Sequence, residues 1–235
     1  MSPIDLTDER LDNPIWHALN SEHARLAVGS GRARRYPAEV VPMAGLQVDE
    51  PEALAELREL LAPAESIYVA SESLPDCAGL EKLGALLCLQ MICPSFKAVG
   101  GILAEDSPAV QELTGADAPD MVALTDAAFP GYFRPATYRM GSYYGIRRQG
   151  ELVAMAGERL ALPGLRELSA VCTRPGHTGH GYAARLSSHV LAKHAAAGLT
   201  TFLHVADGNE RAIALYERLG FVKRRSLLLN RLCRI

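Results

Sequence analysis

The sequence predicts an α/β protein built on a mixed, mostly antiparallel sheet flanked by helices, together with a smaller N-terminal α/β half. The first observation is a hairpin pattern, in which alternating apolar segments flank Gln149-Gly150-Glu151. The second is a long amphipathic helical stripe over residues 179–197, and the third is the strand–helix–strand order that follows it. The length of 235 residues corresponds to one or two domains.

Composition excludes several classes of protein. Hydrophobic residues make up 49% and charged residues 22%, as in a globular fold and unlike a disordered or collagen-like chain. The formal net charge of −3 gives no basic excess for binding nucleic acid. No apolar segment approaches the roughly 20 residues that span a bilayer, because the best candidate, residues 83–93, stops at Pro94. We therefore expect neither nucleic-acid nor membrane partners.

The cysteines and the first residues indicate a cytoplasmic protein. The five cysteines are odd in number and lack CxxC spacing, which argues against a disulfide framework and a zinc knuckle. Met1-Ser2-Pro3-Ile4-Asp5 has neither the basic nor the apolar region of a signal peptide. Reduced thiols are expected.

The N-terminal half, residues 1–105, predicts short elements. Residues 1 to about 20 are polar and interrupted by proline, which indicates a loose arm with one short helix around Trp16. The segments that follow are predicted to be strands with turns, a helix and a strand, at residues 24–46, 51–61 and 66–70. The apolar segment 80–92 fits a buried helix or a strand, and periodicity does not decide between them.

The C-terminal half, residues 106–235, begins where the composition shifts to Gly, Ala, Asp and Pro, and the domain boundary is predicted near Asp106. Strands are predicted at residues 110–113, 142–148, 152–160, 167–173, 200–205 and 221–229. Helices are predicted at residues 119–129, 179–197 and 209–219.

A glycine-rich segment joins a strand of this half to its long helix. It reads Val171-Cys172-Thr173-Arg174-Pro175-Gly176-His177-Thr178-Gly179-His180-Gly181-Tyr182-Ala183. The first turn of a helix presents backbone N–H groups without partners and a partial positive charge. Gly179 and Gly181 have no side chain that would keep an anion from those groups. The segment therefore predicts a pyrophosphate site.

Three ligands of the nucleotide type compete for this site. The Walker pattern GxxxxGK[ST] does not occur in the sequence. The dinucleotide pattern GxGxxG/A is matched weakly by residues 179–184, because residues 174–178 separate it from the strand and the chain after it is too short for a doubly wound sheet. The third ligand is coenzyme A.

Residues 106–235 resemble the GNAT superfamily of acyl-CoA N-acyltransferases. The family signature [Q/R]-x-x-G-x-[G/A] falls on residues 178–183, with Thr178 in place of the usual Gln or Arg. A second element, Asn-x-x-Ala-x-x-x-Tyr-x-x-x-Gly-Phe, is matched by Asn209, Ala212, Tyr216, Gly220 and Phe221. The most similar branch is that of the glycine N-acyltransferase-like proteins, which also have an extra N-terminal half.

This resemblance implies acetyl-CoA as the co-substrate and no metal. It implies that the strand Val171-Cys172-Thr173 pairs with the pantetheine amides through the backbone of its first and third residues. The pyrophosphate is then expected at the backbone amides of Thr178, Gly179, His180, Gly181, Tyr182 and Ala183, with Asn209 also at the cofactor. Tyr216 matches the usual general acid, and it has a proton to give at neutral pH. The Val171 amide is the expected oxyanion donor.

Glu167 is the candidate general base. On an alternating strand it faces the same way as Ser169, Val171 and Thr173, upstream of the acetyl group. Glu158 and His204 are weaker candidates for this role. Cys172 alternates to the opposite face, which favours a buried structural thiol over a nucleophile.

Three other groups of residues have a structural and a functional interpretation. His177 and His180 form an HxxH string, but no third ligand is near in sequence and no metal site is predicted. Arg32, Arg34 and Arg35 form either a solvated loop or a site for an acidic group. Trp16-His17 either packs on the body or covers the acceptor cleft.

The predicted function is acyl-CoA-dependent N-acetyl transfer to a primary amine of a small molecule or a protein, by direct attack in a ternary complex. A CoA-binding regulatory or scaffold protein without turnover is the first alternative, and a nucleotide-dependent oxidoreductase is the second. A homodimer is compatible with the sequence. A cleft rich in acidic side chains would favour polyamines or aminoglycosides as acceptors.

Overall fold

A single sheet of ten strands forms the centre of the computed structural model, which describes residues 6–96 and 108–235. The strands are β1 Ala33–Arg35, β2 Met43–Leu46, β3 Ser66–Ala70, β4 Leu80–Cys93, β5 Gln111–Leu113, β6 Tyr143–Arg148, β7 Glu151–Leu162, β8 Leu165–Thr173, β9 Thr200–Ala206 and β10 Val222–Arg234. The helices are α1 Pro14–Leu19, α2 Pro51–Glu59, α3 Ala118–Ala128, α4 Tyr182–Ala196 and α5 Glu210–Arg218.

The strand order is β1-β2-β3-β10-β4-β9-β8-β7-β6-β5. Only β2–β3 and β8–β9 are parallel among these pairs. The mixed, mostly antiparallel sheet flanked by helices is therefore confirmed.

Strands from the two halves of the chain alternate in the middle of the sheet. β10 pairs with β3 on one side and with β4 on the other, and β4 also pairs with β9. The segment 80–92 is thus a strand, because both of its edges find partners that are distant in sequence. The predicted boundary near Asp106 lies outside the described residues, and the division into two domains stays a prediction.

The N-terminal segment packs tightly from Leu11 onward. Leu11, Ile15 and Leu19 are fully buried in a core cluster with residues of β7, β8 and β9. Their spacing of four residues gives one continuous apolar surface on the short helix α1 and the turn before it. The prediction of a loose arm was wrong for this described part, although the helix around Trp16 is confirmed.

The parallel strands β8 and β9 separate after three residue pairs. Leu165, Arg166 and Glu167 pair with Thr200, Thr201 and Phe202, and no later pair follows among the described residues. We call this divergence the fork.

A β-bulge in β8 accompanies the fork. On β7, Met155 and Gly157 are two residues apart. Their partners on β8, Cys172 and Ser169, are three residues apart, so β8 contains one extra residue here. Ala170 adopts a positive φ of 52° between these two partners. The extra residue changes which side chains share a face of the sheet.

Simple alternation therefore fails along β8. Leu168 and Val171 both pack in the cluster under α4 and α5, whereas Ala170 and Cys172 pack toward α3. Glu167, next to Leu168, lies on the opposite face from Val171. The expectation that Glu167 and Val171 face the same way was wrong, because the bulge inserts one residue between them.

No helix within residues 6–96 and 108–235 is both long enough and apolar enough to cross a membrane.

Candidate active site

The glycine loop, residues 174–181, connects β8 to α4. Gly176, Gly179 and Gly181 have φ values of 89°, 85° and 74°, a left-handed conformation that side chains rarely adopt. Helix α4 therefore begins at Tyr182, three residues later than predicted. A Cβ atom on Gly176 or Gly179 would meet no atom within 4 Å, so the loop borders open space. This space leaves room for a ligand against the backbone.

The first turn of α4 supplies hydrogen-bond donors to that space. The Arg185 N–H donates to the Gly181 carbonyl oxygen at 3.0 Å and closes the first helical turn. The N–H groups that precede it have no intrahelical acceptor by the geometry of the helix. An anionic pyrophosphate fits this set of donors and the positive end of the helix dipole.

His180 holds the loop in shape. Its Nδ1–H donates to the carbonyl oxygens of His177 and Thr178, each at 3.1 Å. Its ring stacks on Tyr182 with the centroids 5.4 Å apart, and the Tyr182 hydroxyl accepts from Arg148 Nε at 3.1 Å. In the part of the chain that is described, no group of three or more His, Cys, Asp or Glu side chains could hold a metal ion.

The edge of β8 that faces the fork carries the backbone of Val171 and Thr173. The Arg174 N–H donates to the Val153 carbonyl oxygen at 2.8 Å, toward β7. Backbone groups of successive strand residues point to opposite edges. The Thr173 and Val171 groups therefore point away from β7, toward the space from which β9 has diverged. An extended chain of amides fits there as an added strand.

A cavity of about 350 Å³ opens beside the fork. Its wall includes β8 residues 168–171, the start of α5, the residues after α3, and parts of α1, β3, β4 and β10. Tyr216 and Asn209 both line it. The second motif therefore reaches the cavity, and the glycine loop follows the same strand, β8, whose residues 168–171 line that cavity.

Tyr216 lies on the buried face of α5. Its ring packs edge-on against Phe221 with the centroids 5.7 Å apart, and its side chain is only 8% exposed. Burial raises the pKa of Tyr216 above its usual range, so the hydroxyl stays protonated. Asn209 caps α5, because its Oδ1 accepts from the Ala212 N–H at 3.2 Å. A proton donor is therefore fixed at the cavity wall.

Glu167 is completely buried, and its carboxylate is fully engaged. It accepts from Arg159 Nε at 2.9 Å and Nη2 at 2.5 Å, from the Leu160 N–H at 3.1 Å, and from His204 Nδ1 at 2.7 Å. Burial alone would raise the pKa of Glu167, but Arg159 and His204 outweigh it and lower that pKa to about 2. Such a carboxylate is a weak proton acceptor.

His204 stands between Glu167 and the cavity. Its Nδ1–H donates to Glu167, and its Nε2 lies 2.9 Å from the Gln90 side-chain nitrogen. Gln90 is oriented by its other contacts, since its Oε1 accepts from Arg224 Nη1 at 2.8 Å and its Nε2 donates to the Leu11 carbonyl oxygen at 2.8 Å. In this assignment His204 is the neutral tautomer with its lone pair on Nε2. Arg224, Gln90, His204, Glu167 and Arg159 form what we call the buried network.

His204 and Arg159 line the cavity, whereas Glu167 and Glu158 are not among its described lining residues. Glu158 accepts from His194 Nε2 at 3.0 Å and from the Ser142 N–H at 3.1 Å, and it braces β7 against α4. The contacts of both glutamates favour a structural role over that of a general base. Cys172 is buried, and burial raises its pKa to about 12, as expected of a structural thiol.

The arginines of the N-terminal half do not form one site. Arg35 is buried and pairs with Glu65, with one contact at 2.8 Å, so it is no part of a solvated loop. Arg34 lies over the Trp16 ring, 5.9 Å from its centroid. Trp16 therefore packs on the body, while its neighbour Ile15 lines the cavity.

Sequence reasoning missed Arg159, Gln90 and Arg224. The signal for Arg159 was present, because a charged residue sits in the largely apolar strand β7. Gln90 follows a similar pattern in the buried half of β4. No motif connects either residue to residues 167 and 204.

Comparisons with known proteins agree with this geometry. Residues 143–229, less than half of the chain, match the family model of FR47-like proteins. A crystal structure from Novosphingobium aromaticivorans, assigned to the GNAT family of acetyltransferases, has 38% sequence identity and a TM-score of 0.84, and the match covers 97% of this chain and 100% of that one. A GCN5-related N-acetyltransferase from Kribbella flavida shares the fold, with 19% identity and a TM-score of 0.60 over 97% of this chain and 95% of that one.

A curated relative extends the comparison to a longer protein. Mycothiol acetyltransferase from Streptomyces avermitilis is 27% identical over 183 residues, which cover 75% of this chain. The match spans only 53% of that relative. The Novosphingobium protein is 38% identical to this chain, and the match covers its full length. Together with the FR47-like match, this shows that the chain belongs to the GNAT superfamily of N-acetyltransferases.

Proposed function

We propose that the protein is an acyl-CoA-dependent N-acyltransferase that transfers acetyl from acetyl-CoA to a primary amine by direct attack in a ternary complex. The observation that carries this proposal is that the fork and the glycine loop lie along one strand, β8, and that Tyr216 of α5 lines the cavity beside that strand. Acetyl-CoA supplies an activated thioester carbonyl when it is bound.

Binding relies on the backbone. The glycine loop and the first turn of α4 receive the pyrophosphate, and Thr178 contributes its amide although its side chain lacks the charge of Arg. Val171 and Thr173 pair with the pantetheine amides at the fork, and the Val171 N–H stabilises the oxyanion. Because these contacts use main-chain donors, the substitution at Thr178 leaves them intact.

We assign His204 to accept the proton of the amine, because it is a titratable side chain of the cavity wall and its Nε2 becomes available once Gln90 releases it. It is a cavity-lining side chain whose Nε2 lone pair is fixed by the Nδ1–H donated to Glu167. Glu167 acts behind it, because a buried carboxylate stabilises the imidazolium that forms. Gln90 must yield its contact with Nε2 when the proton arrives.

Tyr216 completes the proton balance. As the amine nitrogen bonds to the acetyl carbon and the carbon–sulfur bond breaks, Tyr216 donates its proton to the departing sulfur. His204 takes the amine proton, and solvent restores both groups afterwards. No metal is needed for this sequence of steps.

The test is a calorimetric titration with acetyl-CoA, followed by a CoA-release assay on a panel of primary amines. Binding in the micromolar range with amine-dependent CoA release supports the enzyme. Binding without release for any amine supports the CoA-binding scaffold instead, and no binding up to millimolar concentration rejects both. His204→Gln is expected to lower kcat by roughly 10²–10⁴-fold with unchanged acetyl-CoA affinity.

A further inference from the structure

The cavity beside the fork restricts which amine it can accept. We propose that the acceptor carries a carboxylate in addition to its amine, on an apolar or aromatic body, and that Arg159 binds the carboxylate. This inference rests on the proposed acyl transfer and specifies the substrate class of the same site.

The walls of the cavity are rich in aromatic side chains. Tyr68 and Tyr132 stack with their ring centroids 5.5 Å apart, and Phe133 meets Tyr143 edge-on at the same distance. All four residues line the cavity. Such a surface gains free energy by burying an apolar group and gains little from a polar, flexible chain.

The charge of the cavity excludes a polycation. No Asp or Glu is present among the described residues that line it, and the charged side chain there is Arg159. A polyamine or an aminoglycoside would bring several positive charges without a counter-charge, which is costly in a desolvated site. The acidic cleft that would favour those acceptors is therefore not observed in the described wall.

Arg159 pairs with Glu167 through one edge of its guanidinium and is also a cavity-lining residue. Its Nε and Nη2 donate to Glu167, side-on, as an ion pair. A planar guanidinium has five N–H donors, so the edge formed by Nη1 and the second Nη2 hydrogen remains outside this bidentate pair. The side chain is 21% exposed and lines the cavity.

That edge matches a carboxylate. Two parallel N–H donors on a planar cation suit the two oxygens of a carboxylate, and such bonds are among the strongest polar contacts in proteins. Glu167, itself held by His204, fixes the orientation of the guanidinium, which removes the entropy cost of ordering a free arginine. An acceptor anchored here by its carboxylate would place its apolar body against the aromatic wall.

The first experiment measures binding without turnover. N-acetyl-L-phenylalanine and its uncharged amide are titrated by calorimetry into the wild-type protein saturated with CoA. The carboxylate is expected to bind at least about tenfold more tightly than the amide. Equal binding, tighter binding of the amide, or binding of neither probe would overturn the inference.

Variants of the pair identify Arg159 as the anchor. The double variant Arg159→Gln/Glu167→Gln leaves no buried unpaired charge. In this variant the carboxylate probe and the amide probe are expected to bind about equally. Arg159→Lys keeps a charge beside Glu167 but loses the planar edge, and it is expected to give an intermediate preference. An undiminished preference for the carboxylate in either folded variant contradicts the assignment, so the lysine variant decides if the double variant does not fold.

A turnover arm separates this inference from the proposed function. CoA release is compared for L-phenylalanine, 2-phenylethylamine and spermidine with acetyl-CoA. Release that is fastest with 2-phenylethylamine or spermidine keeps acyl transfer and rejects the carboxylate site. Preferential binding of the carboxylate probe with no release from any amine keeps the site and rejects acyl transfer.

Discussion

The glycine loop and the buried network differ in how they provide a functional site. The glycine loop is exposed, contiguous in sequence, and offers backbone N–H groups, so its chemistry is set by conformation. The buried network consists of side chains from β4, β7, β8, β9 and β10, all held by mutual hydrogen bonds. Its chemistry is set by which residues the sheet brings together.

This difference determines how each region tolerates change. A backbone site survives the replacement of side chains such as Thr178, provided that the glycines keep their positive φ. A buried network of charges does not, because the loss of one partner leaves another charge without compensation. Substitutions in the glycine loop should therefore change ligand affinity, and substitutions in the network should change stability as well.

The largest effect is expected where a side chain acts on the reacting atoms. Tyr216→Phe removes the proton donor but keeps the ring that packs on Phe221. We expect kcat to fall by roughly 10²–10⁴-fold, with unchanged acetyl-CoA affinity, in CoA-release kinetics. Tyr144→Phe is the matched control, since Tyr144 is buried in the same cluster and is not among the cavity-lining residues. An equal loss of rate in both variants would contradict the role of Tyr216.

The next effect tests the buried network. Glu167→Gln leaves Arg159 without its ion-pair partner, and we expect the free energy of unfolding at pH 7 to fall by about 3–5 kcal/mol in urea denaturation. The exposed Glu81→Gln is the control and should change it little. If Glu167→Gln lowered kcat but left the free energy of unfolding unchanged, Glu167 would have a catalytic role and only a minor structural role.

The ion pair of Glu167 and Arg159 also predicts how the stability of the fold depends on pH. The folded-state pKa of Glu167 is about 2, below the ordinary value for glutamate of 4.5. Its contribution to stability is therefore complete above about pH 4.5 and is lost as the pH falls toward 2. Wild-type stability should decrease more steeply than that of Glu167→Gln across this range, and parallel curves would contradict the ion pair.

A smaller effect is expected in the glycine loop. Gly181→Val places a branched side chain at a φ of 74° beside the first turn of α4, and acetyl-CoA affinity should fall at least about tenfold in calorimetry. Gly198→Val introduces comparable backbone strain at a φ of 71°, just after the opposite end of α4. Only the first variant should lose affinity. Equal losses would show that strain, and not access to the backbone donors, determines binding.

The smallest effect is expected from the side chain at Thr178, and it tests whether the glycine loop binds through its backbone alone. Thr178→Arg adds a charge to an exposed position of the glycine loop, and we expect a two- to fivefold gain in acetyl-CoA affinity that decreases with added salt. Thr178→Ala should leave the affinity nearly unchanged, because the backbone donor remains. A large loss in Thr178→Ala would mean that the threonine hydroxyl contacts the ligand.

Elements with a strong local pattern were predicted well from the sequence. The strand Ser66–Ala70 has the predicted bounds, and the helices α2, α3 and α5 begin or end within a few residues of prediction, because proline and a capping asparagine mark their starts. The segment 80–92 could not be assigned, since an apolar segment fits a helix or a strand until its partners are known. The face of Glu167 was mispredicted because a one-residue bulge leaves no clear sequence signal.

The sequence by itself determined the glycine loop, the cap and the tyrosine of α5, and the order of strands and helices around them. These features depend on contacts between residues close in the chain, where spacing specifies geometry. Only the tertiary structure decided that β4 lies between β9 and β10, that Arg159 and His204 face one cavity, and that Glu167 is enclosed behind them. The physical reason is that register, bulges and burial arise from pairing between distant segments, and these set the charge and shape of the cavity.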